Sequence, residues 1–285
     1  MAEYQSNMPY YLTKNKLIED LKAACFDISQ APIMLHSDLF KIGLTATPSE
    51  RLQICADYQE ALDDALHSAP LLIPTFNYDF CKNGKYDRIN SPSQVGTLSD
   101  YFRLHFSENR TYTPIFNFVI HNKTEFLSLA SSTQVFGQDS LFAELHKQNG
   151  YVFFLGADFS SNTFLHYIEE CNNIGYRYLK SFSGEIIDQS KSIPITVSYR
   201  VRPWLSTFVV YDWTRLILEA TQQKILKQIV VGHGKLLYYK AAELFEFWSE
   251  KMKHNELYLL TPQCQIQVRK IYESNGYPLT LEMFE

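Results

Sequence analysis

The sequence predicts a single α/β domain around a mixed central sheet, with flanking helices and a β-rich antiparallel section in the C-terminal half. Three observations lead there. Helix-like and strand-like apolar periodicities alternate through the first part of the chain. Helix-start signals stand between the apolar runs. From Arg177 to Asp212 the chain turns to extended stretches, "RYLKSF", "IPITVSYRV" and "TFVVYD". No internal repeat or low-complexity linker divides the sequence, so residues 1–285 are expected to form one domain.

In chain order, Lys14 to Phe26 reads as a helix with Leu17, Leu21 and Cys25 on one face. "PIMLHSDL" (Pro32 to Leu39) reads as a short buried strand. "TPSE" (Thr47 to Glu50) is a capping box with Pro48 at the first helical position, and it opens a helix to His67. "PLLIPTF" (Pro70 to Phe76) is a second strand. Tyr78 to Pro92 has no period and carries Asn, Gly, Lys and Pro, so it reads as a long loop of the kind that often serves function. Thr97 to Leu104 and Gln138 to Gln148 read as helices, and Ile115 to Ile120 and Tyr151 to Gly156 as strands. After the β-rich section, helices return at Trp213 to Lys227 and Lys240 to Lys253.

Composition narrows the classes. The chain has 285 residues, 46% of them hydrophobic, including 19 Tyr and 20 Phe, which is ample for a large core. Lys and Arg number 26 against 31 Asp and Glu, a net charge of −5 without any basic stripe, so a nucleic-acid partner is not expected. The five cysteines show neither disulfide nor zinc spacing and read as reduced thiols of a cytoplasmic protein. "MAEYQSNMPYYL" has neither the basic start nor the apolar stretch of a signal peptide, and no apolar run is long enough to span a bilayer. No metal is expected, since the histidines are scattered and no H-E-x-x-H pair occurs. "GHGK" (Gly232 to Lys235) has neither phosphate-loop nor dinucleotide spacing and reads as a turn. There is no G-x-S-x-G elbow.

The stretch with chemistry in it is "SSNTFLHYIEE" (Ser160 to Glu170). Asn162 or Thr163 can cap a helix, which puts His166 near the first turn, where the helix dipole disfavours an imidazolium. Glu169 and Glu170, three and four residues on, lie on the same face and can reach back to the ring. Taken alone, a helix histidine followed by acids reads as a surface ion pair worth about a few tenths of a kcal/mol. Here Phe164, Leu165 and Ile168 flank it, and a buried-looking strand ends just before it, where α/β folds place ligands.

Four stretches, in order, resemble the aminoglycoside 3-N-acetyltransferase family, enzymes that move an acyl group from coenzyme A to a sugar amine. They are "LHSDLFKIG" (Leu35 to Gly43), "PTFNYDFCKNGKYDRINSPSQVGTLSDYFR" (Pro74 to Arg103), "FGQDSLFAEL" (Phe136 to Leu145) and "FFLGADFSSNTFLHYIEE" (Phe153 to Glu170). Weaker likeness continues at "VVYDW" and "VGHGKLLYYKAAEL", so the resemblance spans residues 30 to 250. Three positions depart from the family: Thr113 stands where a histidine is common, Asn117 where a serine is, and Ser160 where an acid is.

The resemblance implies a coenzyme A thioester, acetyl or hydroxyacyl, as co-substrate. Amide formation needs a base, and His166 is expected to serve as one. Glu169 matches the family's H-x-x-E and is expected to orient the ring, with Glu170 the other geometric possibility. The likeness places Thr75 and Thr163 near the thioester as donors to the oxyanion. It places His36, Ser37, Leu39 and Gly43 along the coenzyme, and Arg103 either on a phosphate or in a structural ion pair. On the acceptor side, Tyr78, Asp79, Tyr86 and Arg88 come from the long loop, and Asp212 either holds a sugar amine or caps the next helix. The loop's Lys82, Lys85, Arg88 and aromatic residues suit a pyrophosphate and a base. The expected acceptor is therefore a nucleotide-linked (dTDP) 3-amino sugar for surface polysaccharide, the alternative being an aminoglycoside antibiotic. The partners are these small molecules, with no membrane; the oligomer is a monomer or a homodimer.

Overall fold

The computed structural model describes residues 12–23, 31–43, 47–123, 133–203 and 209–284. Helix α1 (Lys14–Ala23) buries Leu17 and Leu21; Phe26 and Cys25 lie outside the described residues. Strand β1 (Ile33–Ser37) ends in a 3₁₀ turn at Leu39–Ile42. Helix α2 (Pro48–Ala65) opens on the expected capping box: the Thr47 amide donates to Glu50 Oε2 at 2.8 Å. Strand β2 (Leu71–Pro74) follows.

The region read as a loop holds two elements instead, the short helix α3 (Phe80–Asn83) and strand β3 (Lys85–Asp87). β3 pairs with a partner about a hundred residues later, Lys85 with Glu185, and no local periodicity announces a strand of three residues. The chain continues through α4 (Thr97–His105), β4 (Phe118–His121), α5 (Leu141–Lys147), β5 (Tyr151–Leu155) and α6 (Phe164–Cys171). β6 (Tyr178–Asp188) and β7 (Lys191–Val201) form an eleven-pair antiparallel hairpin. Residues 207 and 208 of the expected "TFVVYD" strand lie outside the described residues, and Tyr211 makes only an isolated bridge to Leu260. α7 (Trp213–Gln222) is shorter than expected, because the chain turns into β8 (Lys227–Val231). The "GHGK" turn joins β8 to β9 (Gly234–Lys240). α8 (Ala241–His254) and an unanticipated α9 (Pro262–Asn275) complete the chain.

The main sheet has the order β4-β2-β1-β5-β9-β8. β1 runs parallel to both β2 and β5, whereas β4, β9 and β8 are antiparallel to their neighbours. Strand alternation divides the core between the two faces. Leu35, Phe153 and Leu155 pack on one face with residues of α1, α2 and α4. Met34, Val152 and Phe154 pack on the other, with α5, α6 and α8. The chain builds outward from β1 in one direction and from β5 in the other, so the β1/β5 boundary is a switch point whose carboxyl edge is the natural place for a ligand. The segments 37–43 and 156–163 both leave from that edge.

A second sheet, β3-β6-β7, includes part of the segment expected to serve as the acceptor loop. Its closest approach is between two glycines. Gly84 has φ +67°, and a Cβ on Gly184 would lie 2.0 Å from the Gly84 carbonyl oxygen. That same oxygen accepts from the Glu185 amide at 2.8 Å.

Candidate active site

α6 starts without the side-chain cap expected of it. The Asn162 carbonyl side chain already accepts from the Tyr239 hydroxyl at 2.7 Å, and the Thr163 hydroxyl donates to the Ser161 carbonyl at 3.3 Å. Backbone bonds close the turn instead, the His166 amide donating to the Thr163 carbonyl at 3.1 Å. The inward face of α6 is apolar except at one position, Glu169, which is 1% exposed.

Glu169 is the hub of the site. Its Oε2 lies 2.8 Å from His166 Nδ1 and 3.0 Å from Arg177 Nε. Its Oε1 accepts from the Tyr176 hydroxyl at 2.8 Å and the Tyr211 hydroxyl at 2.7 Å. Arg177 in turn donates to the Tyr211 oxygen at 2.5 Å. Burial on its own pushes the Glu169 carboxyl up, but Arg177, His166 and Tyr211 together outweigh it and hold it down at about 2. An ionised carboxylate only accepts hydrogen bonds, so His166 Nδ1 carries the proton and Nε2 keeps its lone pair. Burial and then the Arg177 charge lower the His166 pKa, against the pull of Glu169. The His166 side chain is 27% exposed, so Nε2 is reachable. Phe136 packs edge-on against the ring at 5.5 Å. Glu170 points elsewhere and pairs with Arg200 at 3.1 Å. Of the two acids the sequence left open, Glu169 holds the ring.

Thr75 lies in a different cluster. It is fully buried; its hydroxyl donates to Asn117 Oδ1 at 2.8 Å and accepts from Arg110 Nε at 3.2 Å. Its hydroxyl proton is thus already committed, which leaves none for an oxyanion. Asn117, where the family commonly has serine, is the acceptor that holds it.

Most of the residues expected along a coenzyme lie at or just after the end of β1. His36 is buried, stacks on Phe154 at 5.1 Å, and is lowered to about 4 by burial, so it is neutral. Ser37 ends β1, and its carbonyl lies 3.3 Å from where a Cβ on Gly96 would stand. Leu39 is core, and Gly43 takes the left-handed conformation, φ +107°, that closes the 3₁₀ turn. Arg103 takes its structural option, an ion pair with Asp100 at 2.6 Å. Two clefts flank this edge. One, of about 940 Å³, lies between the Gly156–Ser160 loop, Trp213 of α7 and the β8–β9 hairpin, with Lys41, Lys227 and Lys235 on its walls. The other, about 460 Å³, lies at the start of α4 beside Gly96, Thr97 and Arg51.

The acceptor-side residues divide. Tyr78 is 38% exposed, and Asp79 stands at the start of α3. Tyr86, by contrast, is 0% exposed, with its hydroxyl donated to the Thr111 carbonyl at 3.1 Å. Arg88 is buried against Asp188 at 2.9 Å and the carbonyls of Ser107, Glu108 and Arg110. Neither offers a ligand a free face. Asp212 caps α7, accepting from the Arg215 amide at 3.2 Å, and also pairs with Arg215. Sequence reasoning missed Arg177, Tyr176 and Tyr211. The available signal was a charged residue inside the aromatic run "GYRY", since a charge in such a run must find a partner.

A mixed α/β fold with a histidine–carboxylate pair on the helix that follows a central parallel strand has the plan of an α/β enzyme. The family model for aminoglycoside 3-N-acetyltransferase matches residues 34–253, and the chain belongs to that family. It is an acyl-CoA-dependent N-acyltransferase. No curated protein matches the chain in sequence. Similar solved structures include aminoglycoside acetyltransferase AAC(3)-IVa as the apoenzyme, at 20% identity and TM-score 0.67, covering 90% of this chain and 94% of that one. AAC-IIIb in binary complex with CoASH has 18% identity and TM-score 0.70, covering 89% and 99%. Sisomicin-bound AAC-VIa has 17% identity and TM-score 0.69, covering 86% and 99%. At these identities the likeness establishes the fold.

Among the described residues, no helix is long and apolar enough to cross a membrane. Cys55, Cys81, Cys171 and Cys264 are free thiols.

Proposed function

We propose that this protein acylates an amine of an aminoglycoside-type amino sugar, with His166 as the general base and Glu169 as the group that orients it. The observation that carries the reading is the buried Glu169 carboxylate, 2.8 Å from Nδ1 of a partly exposed histidine. A sugar ammonium must lose a proton before its nitrogen can attack an acyl carbonyl, and Nε2 of a neutral imidazole can accept it. Glu169 fixes the tautomer and stabilises the imidazolium as it forms.

The donor thioester supplies the activated acyl group when bound. Lys41, Lys227 and Lys235 in the larger cleft suit its phosphates, and the Trp213 ring suits an adenine. Ser37 lies at the neighbouring strand end, where the family likeness puts the pantetheine.

Among acceptors, the family's own substrate class and the sisomicin-bound similar structure support an aminoglycoside. The nucleotide-linked sugar expected from the acceptor loop has less behind it. Tyr86 and Arg88, which argued for it, are spent on packing and on Asp188. The test is thiol release from acetyl-CoA with sisomicin, kanamycin and a dTDP-3-amino sugar in parallel. Turnover with the antibiotics supports the proposal; turnover only with the nucleotide sugar reverses the acceptor, and none with any amine removes the reading.

A further inference from the structure

The second buried ion pair partner in the site has no role yet. Arg177 is 7% exposed, and its Nε lies 3.0 Å from Glu169 Oε2. Consider the charges in this pocket. Glu169 carries −1 and Arg177 +1, so the buried set is neutral while His166 is neutral. Adding a proton to His166 would leave a net +1 in a low-dielectric interior, which is unfavourable. Remove Arg177, and the same pocket holds −1. A proton then restores neutrality, whether it sits on His166 or on Glu169. In either case the pair retains a proton at a pH where a base must be free of one.

We propose that Arg177 is a positioning residue that keeps His166 unprotonated: it neutralises Glu169 from behind, so that the carboxylate orients the ring without drawing a proton onto it. The inference rests on the reading of His166 as the base. Tyr211 belongs to the same device, since it donates to Glu169 Oε1 at 2.7 Å and accepts from Arg177 at 2.5 Å. The other groups facing the pair are few. Tyr176 donates to Glu169 Oε1 at 2.8 Å, and burial raises its phenol well above its ordinary value, so it stays neutral. Arg202 contributes a more distant positive charge that also disfavours the imidazolium. Arg200 is matched by Glu170 at 3.1 Å.

The test is the pH profile of kcat/KM in Arg177→Met, Arg177→Lys and Tyr211→Phe, read beside the His166 ring-proton titration by NMR. That resonance is assigned by its loss in His166→Ala, and circular dichroism checks folding. In Arg177→Met the acid limb should move up by about 1–3 pH units. Activity should then fall on the acid side by up to about tenfold per pH unit of that shift and return in alkaline buffer. Arg177→Lys should keep the limb near its original place, and Tyr211→Phe should move it the same way by less. If Arg177→Met fails to fold, Tyr211→Phe carries the test alone. An even loss of activity at every pH with an unmoved His166 titration would overturn the inference, as would Arg177→Lys behaving like Arg177→Met. Full activity in His166→Ala would instead defeat the base assignment, and the NMR titration would still report whether Arg177 governs the ring.

Discussion

Two of the arginines buried among the described residues, Arg177 and Arg110, do opposite things. Arg177 has a carboxylate partner, Glu169, through which it reaches a histidine open to solvent. Arg110, fully buried, donates only to neutral oxygens: Thr75, Asn117, Arg88 and Ser91. Each lies over a tyrosine ring, Arg177 over Tyr211 at 5.9 Å and Arg110 over Tyr86 at 5.1 Å. Their chemistry differs in sign. Burial lowers the pKa of both; at Arg177 the Glu169 charge more than reverses that, whereas at Arg110 it prevails. A buried cation facing a carboxylate sets the state of a reactive group. A buried cation facing carbonyls fixes backbone, here joining the β2 end to the acceptor loop and to Asn117.

Five substitutions would break or sharpen that contrast. His166→Ala should lower kcat about 10²–10⁴-fold while the protein stays folded, since the ring is partly exposed; wild-type turnover would refute the base. Glu169→Gln should cost about a hundredfold or more in kcat through loss of the orienting charge. It also leaves Arg177 buried without its partner, about 3–5 kcal/mol in denaturant unfolding.

The same substitution should flatten the acid limb of stability. The Glu169 pKa is lowered from 4.5 to about 2 on folding, so its contribution is present above pH 4.5 and lost as pH falls towards 2. His166, lowered from 6.5, adds to the acid sensitivity, because the unfolded ring takes up a proton below that pH before the folded one does.

Arg110→Met should strip the guanidinium hydrogen bonds from the carbonyls of Thr75, Arg88 and Ser91 and cost about 3 kcal/mol or more of stability, with activity lost only in proportion to unfolding. Thr75→Val should cost about 1 kcal/mol and leave kcat within a few-fold. A hundredfold fall in kcat would return Thr75 to the oxyanion role the family likeness suggested. Glu170→Gln should be the mildest, about 1 kcal/mol or less by thermal melt, with an unchanged pH profile.

Much of this contrast lay within reach of the sequence, and part of it did not. The i, i+3 spacing of His166 and Glu169 is a local geometric fact of a helix, so their meeting could be read directly. The capping box at Thr47 and the buried strands β1, β2 and β5 were legible for the same reason. Arg177 reaches Glu169 by a turn outside any periodic element, and Tyr211 arrives from beyond the β6–β7 hairpin; no spacing rule connects them. Thr75 is a different case. Its neighbour in space, Asn117, was seen as a departure from the family pattern, but that it would claim the hydroxyl follows only from the pairing of β2 with β4. Tyr86 and Arg88 misled because composition shows which side chains a loop carries and not which way they face. β3 turns them inward.

The contact of Gly84 with Gly184 bears on how this scaffold can be redesigned. The acceptor loop and the long hairpin are stitched together at a point with no room for a methyl group. A loop taken from a relative must keep glycine at position 84, where φ is +67° and a Cβ would meet the Ser183 carbonyl at 3.1 Å, and a hairpin taken from one must keep glycine at 184. The two segments, roughly a hundred residues apart, are therefore exchangeable only if each keeps its glycine.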